Sequence, residues 1–181
     1  MKWRVSPKTC IQWFDSGLTA AKYLEDSKAE LSQLLNLGDA TFESKDYSKA
    51  KDLHEDALAM AQEMGDDSSA IILLDKLAFY QLVSRKYNSA IEYHEQALEV
   101  FKKNDEVEGQ INTLIKIASI FRDMDSINNN IDCLKRALVL AEQTGSLHEQ
   151  RKIFSDIGKA YFTAGEYKQS REFYEKALVI D

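Results

Sequence analysis

The residues of this chain best suited to chemistry are three histidines, two cysteines and several clustered carboxylates. His54-Glu55 and His94-Glu95 share the opening of the H-E-x-x-H zinc motif, in which a second histidine one turn later completes the metal site and the glutamate acts as base. The fifth positions are Leu58 and Leu98, so the second ligand is missing from both. Nor can the two imidazoles readily meet at one ion. They lie on separate helical layers, with axes about 8–10 Å apart, and zinc needs nitrogens at about 2.0–2.1 Å. Core-facing structural roles are expected for His54 and His94, and a surface position for His148. Asp66-Asp67 and Asp105-Glu106 lack the alternating ligands and central glycine of a calcium loop and sit where anions suit a helix start. Phosphate-binding and nucleophile-elbow signatures are absent. The residues therefore predict no enzyme, no metal and no cofactor.

The elements that position these side chains follow from composition and repetition. The chain has 181 residues, 44% hydrophobic and 29% charged, enough for one domain with a sizeable core. Its formal charge of −7 argues against a nucleic-acid partner, which would need Lys and Arg to neutralise phosphates. No apolar run reaches membrane-spanning length, and the N-terminus lacks a secretion signal. Two cysteines, Cys10 and Cys133, cannot build a disulfide scaffold and fit a cytoplasmic setting, each as a small core residue. Seven glycines and one proline leave room for long helices.

Written in rows of forty from Leu31, the sequence repeats without gaps. One column reads Ala57, Ala97, Ala137, Ala177, and the next Leu58, Leu98, Leu138, Leu178. Others read Leu34, Leu74, Leu114, Phe154; Gly38, Ala78, Ala118, Gly158; and Tyr47, Tyr87, Ile127, Tyr167. Leu34, Leu37, Gly38 and Thr41 share one face of a helix, as do Tyr47, Ala50, His54, Ala57, Leu58 and Ala61. Helix A is predicted at about 29–43 and helix B at about 47–64, with the pair recurring in each row. Such pairs cannot bury their faces alone and must stack, which predicts an all-α solenoid. Gly or Ala on helix A facing Ala on helix B allows close backbone approach, and Ala97→Leu should overpack it by roughly 1–3 kcal/mol.

Leu34…Leu37-Gly38 followed by Ala50…His54…Ala57-Leu58 resembles the tetratricopeptide repeat (TPR) family, and Phe154…Ile157-Gly158…Tyr161 with Ser170…Tyr174…Ala177-Leu178 matches it better. Two departures are the forty-residue period, against 34 in the family, and the absent proline after helix B. Helix B should therefore run about a turn longer, to Met64, Asn104 and Thr144. The Gly65-Asp66 turn and His94-Glu95-Gln96-Ala97-Leu98 are similar to LGN/Pins-type and NB-ARC-associated TPR arrays, and less closely to kinesin light chain. The resemblance implies a right-handed superhelix of antiparallel helix pairs whose A helices line a concave groove. The length and the rows of forty predict a single domain over 1–181: a half repeat at 1–30, repeats at 31–70, 71–110 and 111–150, and a fourth cut short at 151–181.

Stepping along helix A beside the core stripe gives the expected groove residues. They are Leu35, Asp39 and Phe42 in the first row and Ile72, Asp75, Phe79 and Leu82 in the second. Ile115, Ser119 and Arg122 follow in the third row, and Lys159 and Phe162 in the fourth. An apolar middle with charged flanks suits an amphipathic helix or extended peptide; the alternative is that these side chains pack on neighbouring helices. Charge is expected to run from acidic (Asp39, Glu43) to basic (Lys152, Lys159), placing a partner's basic part at the first row. The chaperone-type carboxylate clamp is not matched, since Leu35 and Asp39 occupy its places, and the LGN asparagine ladder is replaced by Asp39, Phe79, Ser119 and Lys159.

These features predict a non-catalytic module that binds a protein or peptide, with no nucleic acid and no membrane. The alternatives are a sensor or regulatory segment of a larger signalling ATPase, or a peptide-pheromone receptor. Ser6-Pro7 should open a helix B that lacks its helix A, and Leu178-Val179-Ile180-Asp181 stops the last one in its apolar stretch. Uncapped ends predict either excision from a longer array or self-association through those ends.

Overall fold

The Ser6 hydroxyl accepts a hydrogen bond from the Thr9 amide at 3.3 Å, and Pro7 follows at the first helical position. A computed structural model describes residues 6–180, and every regular element among them is an α-helix. Residues 1–5 and Asp181, the last of the expected uncapped end, lie outside the described residues. The helices are α1 (Pro7–Tyr23), α2 (Ser27–Glu43), α3 (Tyr47–Met64), α4 (Asp67–Val83) and α5 (Tyr87–Lys103), then α6 (Val107–Asp123), α7 (Ile127–Thr144), α8 (Leu147–Thr163) and α9 (Tyr167–Val179). The even-numbered helices are of type A and the odd-numbered of type B. The longer helix B is present: α3 ends at Met64, α7 at Thr144, and α5 one residue short of expectation at Lys103.

Every turn is built alike. A residue in the left-handed region recurs each twenty residues, at Glu25, Lys45, Gly65, Arg85, Asp105, Asp125, Gly145 and Gly165. The next residue starts the following helix. Asp26, Asp46 and Asp66 do so with their carboxylates, accepting from the amides of Ala29, Lys49 and Ser69 at 3.0, 3.2 and 3.1 Å. Asp66 also accepts from the Ser69 hydroxyl at 2.7 Å, and these bonds to Ser69 hold its carboxyl below the usual range. Glu106, Ser126, Ser146 and Glu166 make no such side-chain bond.

The chain divides into two compact units between Lys86 and Tyr87. Within the first, α1 packs on α2, α2 on α3 and α3 on α4. Within the second, α5 through α9 pack in the same consecutive manner. Helix pairs stacked by an inward stripe make this an all-α solenoid. Leu74 and Leu77 are fully buried in the first unit, as are Ile153 and Ile157 in the second. The alanine column is buried in all four rows.

Four details depart from the sequence expectation. Leu58, Leu98 and Leu138 are buried, but Leu178 is 80% exposed, because no described helix follows α9 to cover it. Tyr47 and Tyr167 stand at the first position of α3 and α9, where the stripe is leaving the core, and both are exposed. Trp13 on α1 lies two forty-residue periods before the half-buried Tyr93, so the repeat would place it alike, but it is exposed. Cys10 is half-buried instead of core, whereas Cys133 is buried and burial pushes its thiol up.

Candidate functional site

His54 lies in the core of the first unit, with 1% of its surface exposed, and the backbone of α2 explains how it fits. A methyl at Gly38 would stand 2.5 Å from the imidazole, so only glycine lets α2 and α3 close over this ring. The Tyr80 hydroxyl lies 3.0 Å from His54 Nδ1. Asp39 Oδ1 lies 3.2 Å from Nε2, an ion-pair distance without hydrogen-bond alignment. Lys76 on α4 donates to the same Asp39 oxygen at 2.6 Å. Burial works to raise the Asp39 carboxyl, but the His54 and Lys76 contacts outweigh it and hold the group below its ordinary value. Tyr80 is pushed up to about 12 by burial and by the Asp39 charge. His94 is likewise buried, and His148 is exposed. Among the described residues no cluster of three His, Cys, Asp or Glu is placed to hold a metal ion.

Asp39 was expected to make the first row acidic, yet its charge is matched by Lys76 and so offers a partner little. Beside it stands an aromatic group. The Phe42 ring meets Tyr47 at 5.1 Å, Tyr80 at 5.8 Å and Phe79 at 5.9 Å, the latter two edge to face. Phe42 and Phe79 share a recess of about 420 Å³ at the ends of α2, α3 and α4. Leu35, Ile72, Asp75 and Leu82 lie on the same helices but do not line it; Ile72 is exposed and the other three are half-buried.

In the second unit, Ile115, Ser119, Arg122 and Lys159 come together around a recess of about 220 Å³ between α6 and α8, floored by Ile127, Asn130 and Leu134 of α7. Arg122 donates to the Ser119 hydroxyl at 2.7 Å, and Asn130 is fixed by donating to the Ala118 carbonyl at 2.7 Å. Asp125 and Asp156 also line this recess, so its charge is mixed, not basic. Phe162 stands outside it, exposed and edge to face with Tyr167 at 5.5 Å. Sequence columns did not single out Lys76, Tyr80, Asn130 or Asp156. Tyr80 carried one usable signal, an aromatic next to Phe79 on the core side of α4.

Family models described as tetratricopeptide repeat match residues 30–103 and 152–181. The chain belongs to the tetratricopeptide repeat family. Solved TPR-like structures agree. A Podosopora anserina protein of kinesin light chain type with nearly identical TPR-like repeats superposes with a TM-score of 0.74 at 16% identity, over 96% of this chain and 86% of that one. RapI in its apo form gives 0.77 at 16% identity, over 97% of this chain and 52% of RapI. A Pyrococcus horikoshii signal transduction ATPase with numerous domains, described as having a tetratricopeptide repeat sensor, gives 0.74 at 19% identity, over 88% of this chain and 25% of that one. At these identities the likeness is one of fold. No curated protein matches the sequence. The matches do not single out the LGN/Pins or NB-ARC groups within the TPR family. TPR folds are in general interaction modules without catalytic machinery. No described helix is long and apolar enough to cross a membrane.

Proposed function

We propose that this TPR chain is a non-catalytic protein-interaction module that binds a peptide or helix of a partner protein on its A-helix faces. The observation that carries the reading is the contrast on the A helices α4 and α8 between a sealed stripe and large exposed apolar side chains beside it. Leu74 and Leu77 on α4 are fully buried, while Ile72 and Phe79 of the same helix are each 49% exposed. On α8 Ile157 is sealed and Phe162 is 60% exposed. Solvated helix faces do not need such residues, and contiguous apolar surface marks interaction sites. The groove residues named from the sequence serve as the working contact set: Leu35, Asp39, Phe42, Ile72, Asp75, Phe79 and Leu82 in the first unit, and Ile115, Ser119, Arg122, Lys159 and Phe162 in the second. Two free thiols suit a cytoplasmic location.

Affinity capture from the native source, repeated with Phe79→Glu plus Leu82→Glu, tests the reading. A partner captured by the parent chain should be lost with the double variant, while the helical circular dichroism spectrum is retained. Capture unaffected by the double change would refute binding on this face.

A second reading, in which these repeats form the sensor of a larger signalling ATPase, is favoured by the likeness to the Pyrococcus horikoshii ATPase described as having a tetratricopeptide repeat sensor. A peptide-receptor role would differ from scaffolding in one measurable way. A peptide at 100 times its Kd should stabilise the fold by about 2.7 kcal/mol.

A further inference from the structure

The aromatic recess of the first unit sits at the turn edge, where α2 ends, α3 begins and α4 ends. Three of its features specify an occupant. Its walls are Phe42, Tyr47, Phe79 and Tyr80, and Tyr47 and Phe79 are half exposed, so a chain can lie across it. The charged residues lining it are Lys51 and Lys86; no carboxylate does so. Lys51 is paired with Glu55 at 2.8 Å, whereas Lys86 has no carboxylate partner among the described residues. The third feature is Gln81, which lines the recess at 9% exposure and whose side-chain amide has no hydrogen-bond partner among the described residues. Its polar atoms are not among the sealed, unpaired ones, so they open into the recess, where water satisfies them until a ligand's polar groups take its place.

From these we infer that the recess binds an extended acidic peptide segment of a partner protein, anchored by one bulky aliphatic side chain. The anchor packs on the Phe42, Tyr47 and Phe79 rings. The main chain beside it exchanges hydrogen bonds with the Gln81 amide, which carries both a donor and an acceptor as a peptide unit does. An adjacent Asp or Glu pairs with Lys86. The chain as a whole is acidic, with a formal charge of −7. At physiological salt, screening over about 8 Å leaves the nearest lysines to decide which charge is accepted. This inference rests on the interaction-module reading and gives it a ligand class and a place distinct from the mixed-charge recess of the second unit.

The test uses the full chain and three labelled decapeptides in fluorescence anisotropy at physiological salt. The first has a central leucine flanked by aspartates, the second replaces each aspartate with lysine, and the third replaces the leucine with serine. The first should bind at least about tenfold more tightly than either of the others. Lys86→Glu and Tyr47→Ser should each weaken it by roughly tenfold while leaving the thermal midpoint in place, since both residues are outside the core. Equal or tighter binding of the lysine peptide overturns the inference, as does affinity indifferent to both substitutions. No binding by any of the three also overturns it. The broader reading falls only if partner capture is in addition indifferent to Phe79→Glu with Leu82→Glu.

Discussion

A glycine and a histidine set how closely the first two helices of a pair approach. Gly38→Ala would place a methyl 2.5 Å from the His54 ring, which is held by Tyr80 on one side and Asp39 on the other and so has little room to retreat. The variant should lose roughly 1–3 kcal/mol in urea unfolding, as overpacked cores do. The same alanine at Gly158 should be milder, because its Cβ would stand 3.1 Å from the less buried Tyr174. Tyr80 adds a pH dependence. Its folded value of about 12 lies above the ordinary 10.0, so its contribution is complete below pH 10.0 and declines as pH rises toward 12. Tyr80→Phe should remove that alkaline decline. It should also cost about 1 kcal/mol at neutral pH by taking the hydroxyl from His54; unfolding midpoints across the alkaline range check both. At this scale the sequence was partly legible. The Gly38–His54 apposition lies in columns that repeat. Periodicity missed Lys76 and Tyr80 because they meet Asp39 and His54 from unlike columns and it flags only like with like, which left Tyr80 with its aromatic type beside Phe79 as the one signal.

Helix boundaries were the most legible feature, since a polar turn interrupts each apolar stripe. The chemistry of those turns was less so. Of eight left-handed positions, only Gly65, Gly145 and Gly165 announce themselves by residue type; Glu25, Lys45, Arg85, Asp105 and Asp125 adopt the same conformation without glycine's freedom. Helix starts differ as well, and the difference predicts unequal responses. Asp46→Ala should destabilise by about 1 kcal/mol, because the carboxylate accepts from the Lys49 amide. Ser126→Ala should change stability much less, because the Ser126 side chain caps nothing. Paired denaturant titrations of the two variants compare them directly. The tyrosine column shows the complementary lesson. Recurrence marked Tyr47 and Tyr167 as equivalent, and they are, but equivalence at a helix's first position meant exposure instead of burial.

Across the whole molecule, stability should be distributed locally, because the principal contacts within each unit join helices consecutive in the chain. Leu74 is fully buried on α4, and Leu74→Ala should cost about 2–5 kcal/mol. Hydrogen exchange should show the loss concentrated in α2–α4, with α6–α8 much less affected, as expected for nearest-neighbour arrays. Equal loss in both units would show instead that the chain unfolds as one block. The solenoid was readable from four aligned rows, since each layer must present the same side chains to the next. The division after Lys86 was not, because Ser84-Arg85-Lys86 is a turn of the same kind as Ser44-Lys45-Asp46. The uniform junctions at every twentieth residue carry one more consequence. Excising or duplicating forty residues would leave each remaining joint with the geometry it already has, so copy number can change without inventing a new connector. Removing twenty would instead butt two helices of one class together, and such an event should be selected against.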